Sequence, residues 1–415
     1  MVGAGIFVLP TAIAAYGSIG LLGWGVTALG ALCLALVFAS LSKRYPQTGG
    51  PYAYSREAFG DFIGFQMAWS YWLSIVVSNS AVTIAFVGFV ASFIPAFSGS
   101  PLLQLSLALG TFWGLTVLNS MSVRTVGNLQ VLTTALKILP LIVLSVVGIF
   151  YVKWDHFSPF ILGEVSWFDG LSAAAALTLF GFMGLESATI PAERIKNPAR
   201  TIPRATILGT ILTALVYVWV TTIVVGLLGV EKTAEDPAAF ATASGIALGD
   251  WAIPVIAIAA AISSFGGLNG WILLQGQIPM AAARDGLFPK VFMKTSSKGI
   301  PVLGLIVSGV FVSFLLLMNY EAGLAEQLRF VVNLTAFAVL LPYLYSSAAE
   351  ILFLLKNKKI KPGLSYVRPL FISILALVYS FGALFGSGQD IVYFGLFLVL
   401  GGIPIYLWLK SQKMS

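Results

Sequence analysis

The chain has 415 residues, 58% of them apolar and only 9% charged, with a mean hydropathy of +0.95 and a net charge of +7. A soluble domain carries roughly a quarter charged residues, so this composition excludes one and reads as an integral membrane protein. Its single cysteine, Cys33, excludes an internal disulfide, and its single histidine, His156, sits in a loop as a solvated side chain, with no metal-ligand cluster anywhere. Neither a metal nor a cofactor is expected.

Apolar runs long enough to span a bilayer recur at about 21–41, 62–95, 101–119, 128–150, 168–192, 203–229, 251–279, 301–320, 329–355, 367–386 and 389–409. They are continuously apolar rather than alternating, which rules out a β-barrel. Counting loops alternately puts nineteen Lys and Arg on one side, from Lys43 and Arg44 to Lys413, and three on the other, Lys153, Lys232 and Arg329. By the positive-inside rule the first side is cytoplasmic, so the net charge is a topology signal and not a nucleic-acid patch. The chain reads as a multi-pass protein of the cytoplasmic (inner) membrane.

The segment Met1–Tyr16 must end on the outer face, because the next run carries the chain inward to Lys43. Sixteen residues make about 24 Å of helix against a hydrocarbon core of about 30 Å. It is read as a half-helix whose inner half is missing from this chain, with Gly3-Ala4-Gly5 as an interrupting cluster at its deep end. The loop Tyr45–Gly60 is rich in turn residues and is assigned as a gate-side or interfacial element. The run 62–95 carries Tyr71, Trp72 and Asn79; Asn79 either lines a cavity or bridges helices. Lys137 lies about 13 Å into its span, too deep for easy snorkelling, and is a candidate proton carrier.

The stretch Ala176–Pro191 is the centre of the sequence. It holds Glu186 in apolar surroundings, where a carboxylate costs about 2.5–3.5 kcal/mol on the lenient insertion scale, so a functional role is assigned to it. Gly181 and Gly184 within one turn before it are expected to unwind the helix and offer bare backbone groups. The outer loop Glu231–Asp250 has no motif. The run 251–279 carries a small-residue face, Ser263, Ser264, Gly266, Gly267, Asn269 and Gly270, beside Trp271. Asn333 and Thr335 lie in the run 329–355, and Glu350 near its inner end is expected at the interface.

Two glycine-interrupted segments five spans apart point to an inverted-repeat transporter whose site lies where both helices break. The expected architecture is all-α: two inverted five-helix repeats, about 1–150 and 168–355, with two further helices over 367–409. Together these form a single transmembrane domain, 1–409, followed by a tail at 410–415. An intramembrane enzyme would need a nucleophile with its base, or a metal, and neither is present. The Gly-rich, Lys-Ser/Thr phosphate loop of an ATP-driven pump is also missing.

Gly3-Ala-Gly-Ile-Phe7 with Leu9-Pro10, Gly49-Gly50 with Tyr52-Ala-Tyr54, Gly184-Leu-Glu-Ser187 with Lys196-Asn-Pro198, Gly270-Trp271, Asp285-Gly-Leu-Phe-Pro289 and Pro342-Tyr343 resemble the amino acid, polyamine and organocation transporter superfamily. The resemblance is strongest to its basic amino acid/polyamine antiporter branch. It implies exchange of a cationic amino acid for its decarboxylated amine, often by a homodimer, with protons as co-actors and the bilayer as the other partner. Gly3, Ala4, Gly5 and Ile6 would take the substrate carboxylate, and the carbonyls near Phe180 and Met183 its ammonium. Asn79 and Asn333 would contact the substrate, and Phe180 and Trp271 would wall it in by cation–π contact. Tyr71, Phe180 and Trp271 are assigned as gates, and Glu186 and Lys137 as the proton-coupling pair. In the arginine/agmatine exchangers the position of Phe180 is Trp and that of Ala4 is often Ser, and both departures point away from arginine. Lys137 is similar to a fifth-helix lysine of proton-coupled amino acid permeases, which makes proton-coupled uptake the alternative function.

Overall fold

The computed structural model describes residues 3, 5–163, 165–236, 238–318, 324–356, 364–386 and 389–414. Their regular structure is helical: α1 (Gly5–Ala14), α2 (Ile19–Arg44), α3 (Pro51–Phe59), α4 (Asp61–Phe93), α5 (Pro95–Ser98), α6 (Pro101–Met121), α7 (Val123–Gly148), α8 (Trp167–Phe182), α9 (Pro198–Leu228), α10 (Val230–Glu235), α11 (Ala239–Leu248), α12 (Ala252–Arg284), α13 (Val302–Met318), α14 (Leu324–Lys356), α15 (Leu364–Gly386), α16 (Gln389–Leu400) and α17 (Ile403–Met414). Among the described residues ten helices are long and apolar enough to cross a bilayer, and each apolar run of the sequence is helical over most of its described length. In a medium that offers no hydrogen bonds, the helix is the form that satisfies each backbone group within its own segment.

The centre is formed by α4 and α12, 33 residues each, which pack on one another while α14 lies against α4. Of the most apolar stretch of α4, 72% is buried, against 17% for the stretch over 392–412, so the last helices are the lipid-facing ones. On the other flank α2 packs on α8 and α9. Lipid tails are as apolar as leucine, so close approach of backbones replaces a hydrophobic drive. Accordingly a side chain on Gly304 would stand 3.2 Å from Gly276 Cα, and one on Gly23 would stand 2.7 Å from Ala174 Cβ. Thr27 Oγ1 donates to Ala175 O at 2.9 Å, fixing α8 on α2 before the chain breaks.

Several readings of the sequence change. The loop 231–250, which carries no motif, contributes to two short helices, α10 and α11, which cover α1, with Phe240 edge-on to Phe7 at 4.9 Å and Thr11 Oγ1 donating to Asp236 O at 2.8 Å. His156 is half-buried, its Nδ1 3.0 Å from Gly226 O, because the loop before α8 folds over the end of α9. Glu350, expected at the interface, is 1% exposed; Ser40 Oγ donates to it at 2.7 Å and Arg44 lies 3.6 Å away, because α2 packs over that end of α14. The final run is interrupted at Gly401-Gly402, between α16 and α17.

The Lys/Arg-rich face is closed by α3. Gly49 and Gly50, at φ 121° and 52°, turn the chain so that Gly49 N donates to Ile190 O at 3.0 Å. Arg56 of α3 then reaches Asp285 at the end of α12 at 3.0 Å and Asp61 at 2.8 Å, while the Tyr52 hydroxyl donates to Asp285. Burial pushes the Tyr52 hydroxyl above its ordinary value and the Asp285 carboxylate adds to the shift, so it stays a donor.

Candidate functional site

The interruption before Glu186 has one cause rather than two. α8 continues through Gly181 to Phe182, and only Gly184 takes a positive φ, 92°. Gly181 instead makes room for a neighbour: a side chain there would stand 2.9 Å from the buried ring of Trp24, which stacks on Tyr217 at 4.7 Å. The expectation that both glycines unwind the helix therefore holds for Gly184 alone. Beyond Phe182 the amides bond three residues back, Met183 to Phe180 at 3.4 Å, Leu185 to Phe182 at 3.2 Å and Ser187 to Gly184 at 3.1 Å. Gly181 and Met183 do not serve as acceptors in this run, so the unwinding frees carbonyls at the middle of the fold.

The start of α1 meets this break. A side chain on Gly5 would stand 3.4 Å from the ring of Phe180, and Gly3 O accepts from Ser263 Oγ of α12 at 3.0 Å. On α12 a side chain at Gly267 would stand 4.0 Å from Gly3 Cα, and the half-buried Trp271 follows one turn later. Gly3, Gly5, Phe180 and the Trp271 turn of α12 are thus brought together, with Ile6 and Met183 buried beside them at 0% and 4% exposure. Ala4 and the Asn333 side chain lie outside the described residues.

Glu186 is fully buried just past the break. Its two carboxylate oxygens accept from two tyrosine hydroxyls, Tyr71 of α4 on Oε1 and Tyr343 of α14 on Oε2. One side chain therefore ties three elements: the unwound strand after α8, and two helices that pack against one another. Tyr71, assigned as a gate in the sequence, is a donor on this carboxylate. Tyr343 has no signal in the sequence beyond the dipeptide Pro342-Tyr343.

The remaining polar residues are separate. Asn79 Nδ2 donates to Gln275 Oε1 at 2.7 Å and so bridges α4 and α12; Asn79 Oδ1 is buried without a hydrogen bond. Asn119 and Asn269 bond each other at 3.1 Å, and Asn269 also donates to Gln130 Oε1 at 3.3 Å, joining α6, α12 and α7. The sequence places Asn269 on the small-residue face of its run but does not single out Gln275 or Asn119, because amides mid-span announce no partner. Lys137 is 3% exposed on α7, a helix that packs on α12, α11 and α9. The groups that touch Glu186 are the two tyrosines, and no salt bridge joins Glu186 to Lys137 among the described residues. The described residues hold no group of three His, Cys, Asp or Glu able to bind a metal ion.

A family model described as amino acid permease matches residues 1–407. The putrescine transporter PotE of Haemophilus influenzae is 31% identical over 413 residues, covering 98% of this chain and 93% of its own. The cadaverine/lysine antiporter of Escherichia coli K12 is 33% identical over 413 residues, 94% of this chain and 87% of its own. Among solved structures, the manganese transporter of Eremococcus coleocola superposes with a TM-score of 0.57 at 12% identity, over 99% of this chain and 93% of its own. A sodium-coupled sialic acid symporter gives 0.52 at 10% identity, over 93% and 89%. At such identities these two structures speak for the fold, a helical membrane-transporter fold. A match over nearly the whole length, and relatives above 30% identity over more than nine-tenths of the chain, place this protein in the amino acid permease family.

Proposed function

We propose that the protein is a secondary active transporter that exchanges a cationic amino acid for its decarboxylated amine by alternating access. It would reside in the cytoplasmic membrane, with its Lys/Arg-rich face inward, as two inverted five-helix repeats plus the last helices, and assemble as a homodimer. The observation that carries this reading is the buried Glu186 carboxylate held between Tyr71 and Tyr343, directly after an unwound helix. The names of the relatives, a putrescine transporter and a cadaverine/lysine antiporter, suggest the substrate class.

The chemistry follows from what a carboxyl can accept. Ionised, Glu186 is acceptor-only and takes both tyrosine O–H bonds as charge-assisted bonds; protonated, it carries a donor of its own and accepts more weakly, so both bonds lose strength. A proton therefore loosens the tie between the unwound strand and the two helices, biasing the equilibrium between states open to opposite sides. The substrate's ammonium groups would be met by the carbonyls freed at Gly181 and Met183 and by the faces of Phe180 and Trp271. Its carboxylate would be met by the amides at the start of α1.

Proteoliposomes loaded with labelled putrescine test the proposal. Release on adding external ornithine, lysine or cadaverine, and little release without them, is expected. Uptake that needs no internal substrate and follows an imposed pH gradient would instead establish proton-coupled uptake, the reading favoured by the buried Lys137. Lys137→Ala should abolish that behaviour if it exists.

A further inference from the structure

Four consecutive residues of α4 each hold a different part of the protein. Trp69 Nε1 donates to Leu398 O of α16 at 3.0 Å, Ser70 Oγ to Ala338 O of α14 at 2.9 Å, the Tyr71 hydroxyl to Glu186, and Trp72 Nε1 to Ser308 Oγ of α13 at 2.8 Å. The first of these reaches the break between α16 and α17. Leu398 is in the last turn of α16, where carbonyls lose their partners in the helix, and the Trp69 indole supplies one. The ring also fills the break itself: a side chain on Gly402 would stand 2.7 Å from Trp69 Cδ1 and 2.9 Å from Nε1. Seven residues before Gly402, the same helix grips α14. Gly395 lies directly under the ring of Phe337, which is fully buried, and any side chain at Gly395 would run into it.

The pair α16–α17 thus touches both helices that supply a tyrosine to Glu186, at Trp69 two residues before Tyr71 and at Phe337 six residues before Tyr343. We infer that this interrupted last helix is a clamp that positions the Tyr71–Glu186–Tyr343 gate, with Trp69 and Phe337 as its positioning residues. The inference rests on the gate reading above. α4 and α14 must keep their spacing for one carboxylate to bond both hydroxyls. Ser70 holds them from inside and α16 holds them from the lipid side. The titratable groups that face Glu186 are Tyr71 from α4 and Tyr343 from α14, with Tyr379 of α15 beside Tyr343. None of them lies on α16 or α17, so a change there acts on the gate through geometry alone.

The test is the pH profile and KM of amine exchange in proteoliposomes, with melting in detergent measured alongside. Trp69→Phe keeps a ring in the break while removing the indole bond and part of the ring's packing on Phe65, Trp72 and Phe288; Gly395→Ala disturbs the second grip. Tyr71→Phe and Tyr343→Phe serve as gate controls, and Phe397→Ala, 78% exposed on the same helix, as the surface control. The expected result is that Trp69→Phe and Gly395→Ala shift the pH profile in the same sense as the two tyrosine variants and change exchange at a fixed pH by about 2- to 10-fold, the range of one neutral hydrogen bond. Phe397→Ala should match wild type. If Gly395→Ala does not fold, Trp69→Phe alone decides. Tyrosine variants that shift the profile while a folded Trp69→Phe does not would overturn the clamp and leave the gate standing. Tyrosine variants with a wild-type profile would overturn both.

Discussion

Replacing Tyr343 by Phe deletes one hydroxyl from the gate and little else. The ring is fully buried and edge-on to Phe38 at 5.5 Å, so phenylalanine fills the same space and leaves no cavity. What is lost is a hydrogen bond to a buried carboxyl, and at 0% exposure water does not replace it. Such bonds to charged groups are worth about 1.5–3 kcal/mol, which is about a 10- to 150-fold change in the ratio of conformations that make and lack the bond. If the bond exists only while Glu186 ties α14 to the unwound strand, Tyr343→Phe shifts the transporter toward the loosened state by that factor. The assay is labelled putrescine exchange across about pH 4 to 8, together with detergent melting. Because Tyr71 and Tyr343 share one acceptor, the double variant should fall short of additivity by more than about 0.5 kcal/mol. Glu186→Gln offers one acceptor and one donor, so it keeps the fold and should flatten the pH dependence. A folded Tyr343→Phe and a folded Glu186→Gln that both retain wild-type KM, rate and pH profile would refute the gate.

The aromatic walls are tested by Phe180→Ala and Trp271→Ala: loss of a cation–π face of about 0.5–2 kcal/mol should weaken putrescine binding about 2- to 30-fold by calorimetry, and unchanged affinity in both would place the pocket elsewhere. Gly184→Ala and Gly181→Ala should both lower the melting temperature, but for different reasons. The first is forced into left-handed backbone at about 1–2 kcal/mol; the second overpacks against Trp24 and should be partly rescued by Trp24→Phe, whereas Gly184→Ala should not. Asn79→Ala leaves Gln275 without its donor and should cost stability of about 0.6–2 kcal/mol; a large loss of affinity at unchanged stability would instead make Asn79 a substrate contact. Arg56→Gln breaks ion pairs in which the arginine is 32% exposed, so stability should fall by less than about 1 kcal/mol. Reactivity of a cysteine introduced at Ser187 toward reagents from the Lys/Arg-rich side should nonetheless rise as that face opens.

The sequence by itself determined where the spanning helices are, which face is positive, where the chain unwinds and that Glu186 lies in apolar surroundings. These are properties of single segments: an apolar run must become helix in lipid, positive charge stays on one side, and a carboxylate amid apolar residues announces its own cost. The tertiary structure decided everything that depends on which segments meet. Glu186 finds Tyr71 and Tyr343 across 115 and 157 residues, and Asn79 finds Gln275 across 196. Gly181 reads in sequence like Gly184, yet only the position of Trp24 makes it a packing residue rather than a break. Glu350 sits near a helix end and is buried only because α2 lies over it. The chain's last apolar run is broken at Gly401-Gly402, just before Pro404, but the ring that fills the break, Trp69, belongs to a helix more than three hundred residues earlier. Hydropathy and glycine content measure what a segment costs in lipid, whereas a hydrogen bond or a close approach needs a second surface, and that surface exists only once the helices have packed.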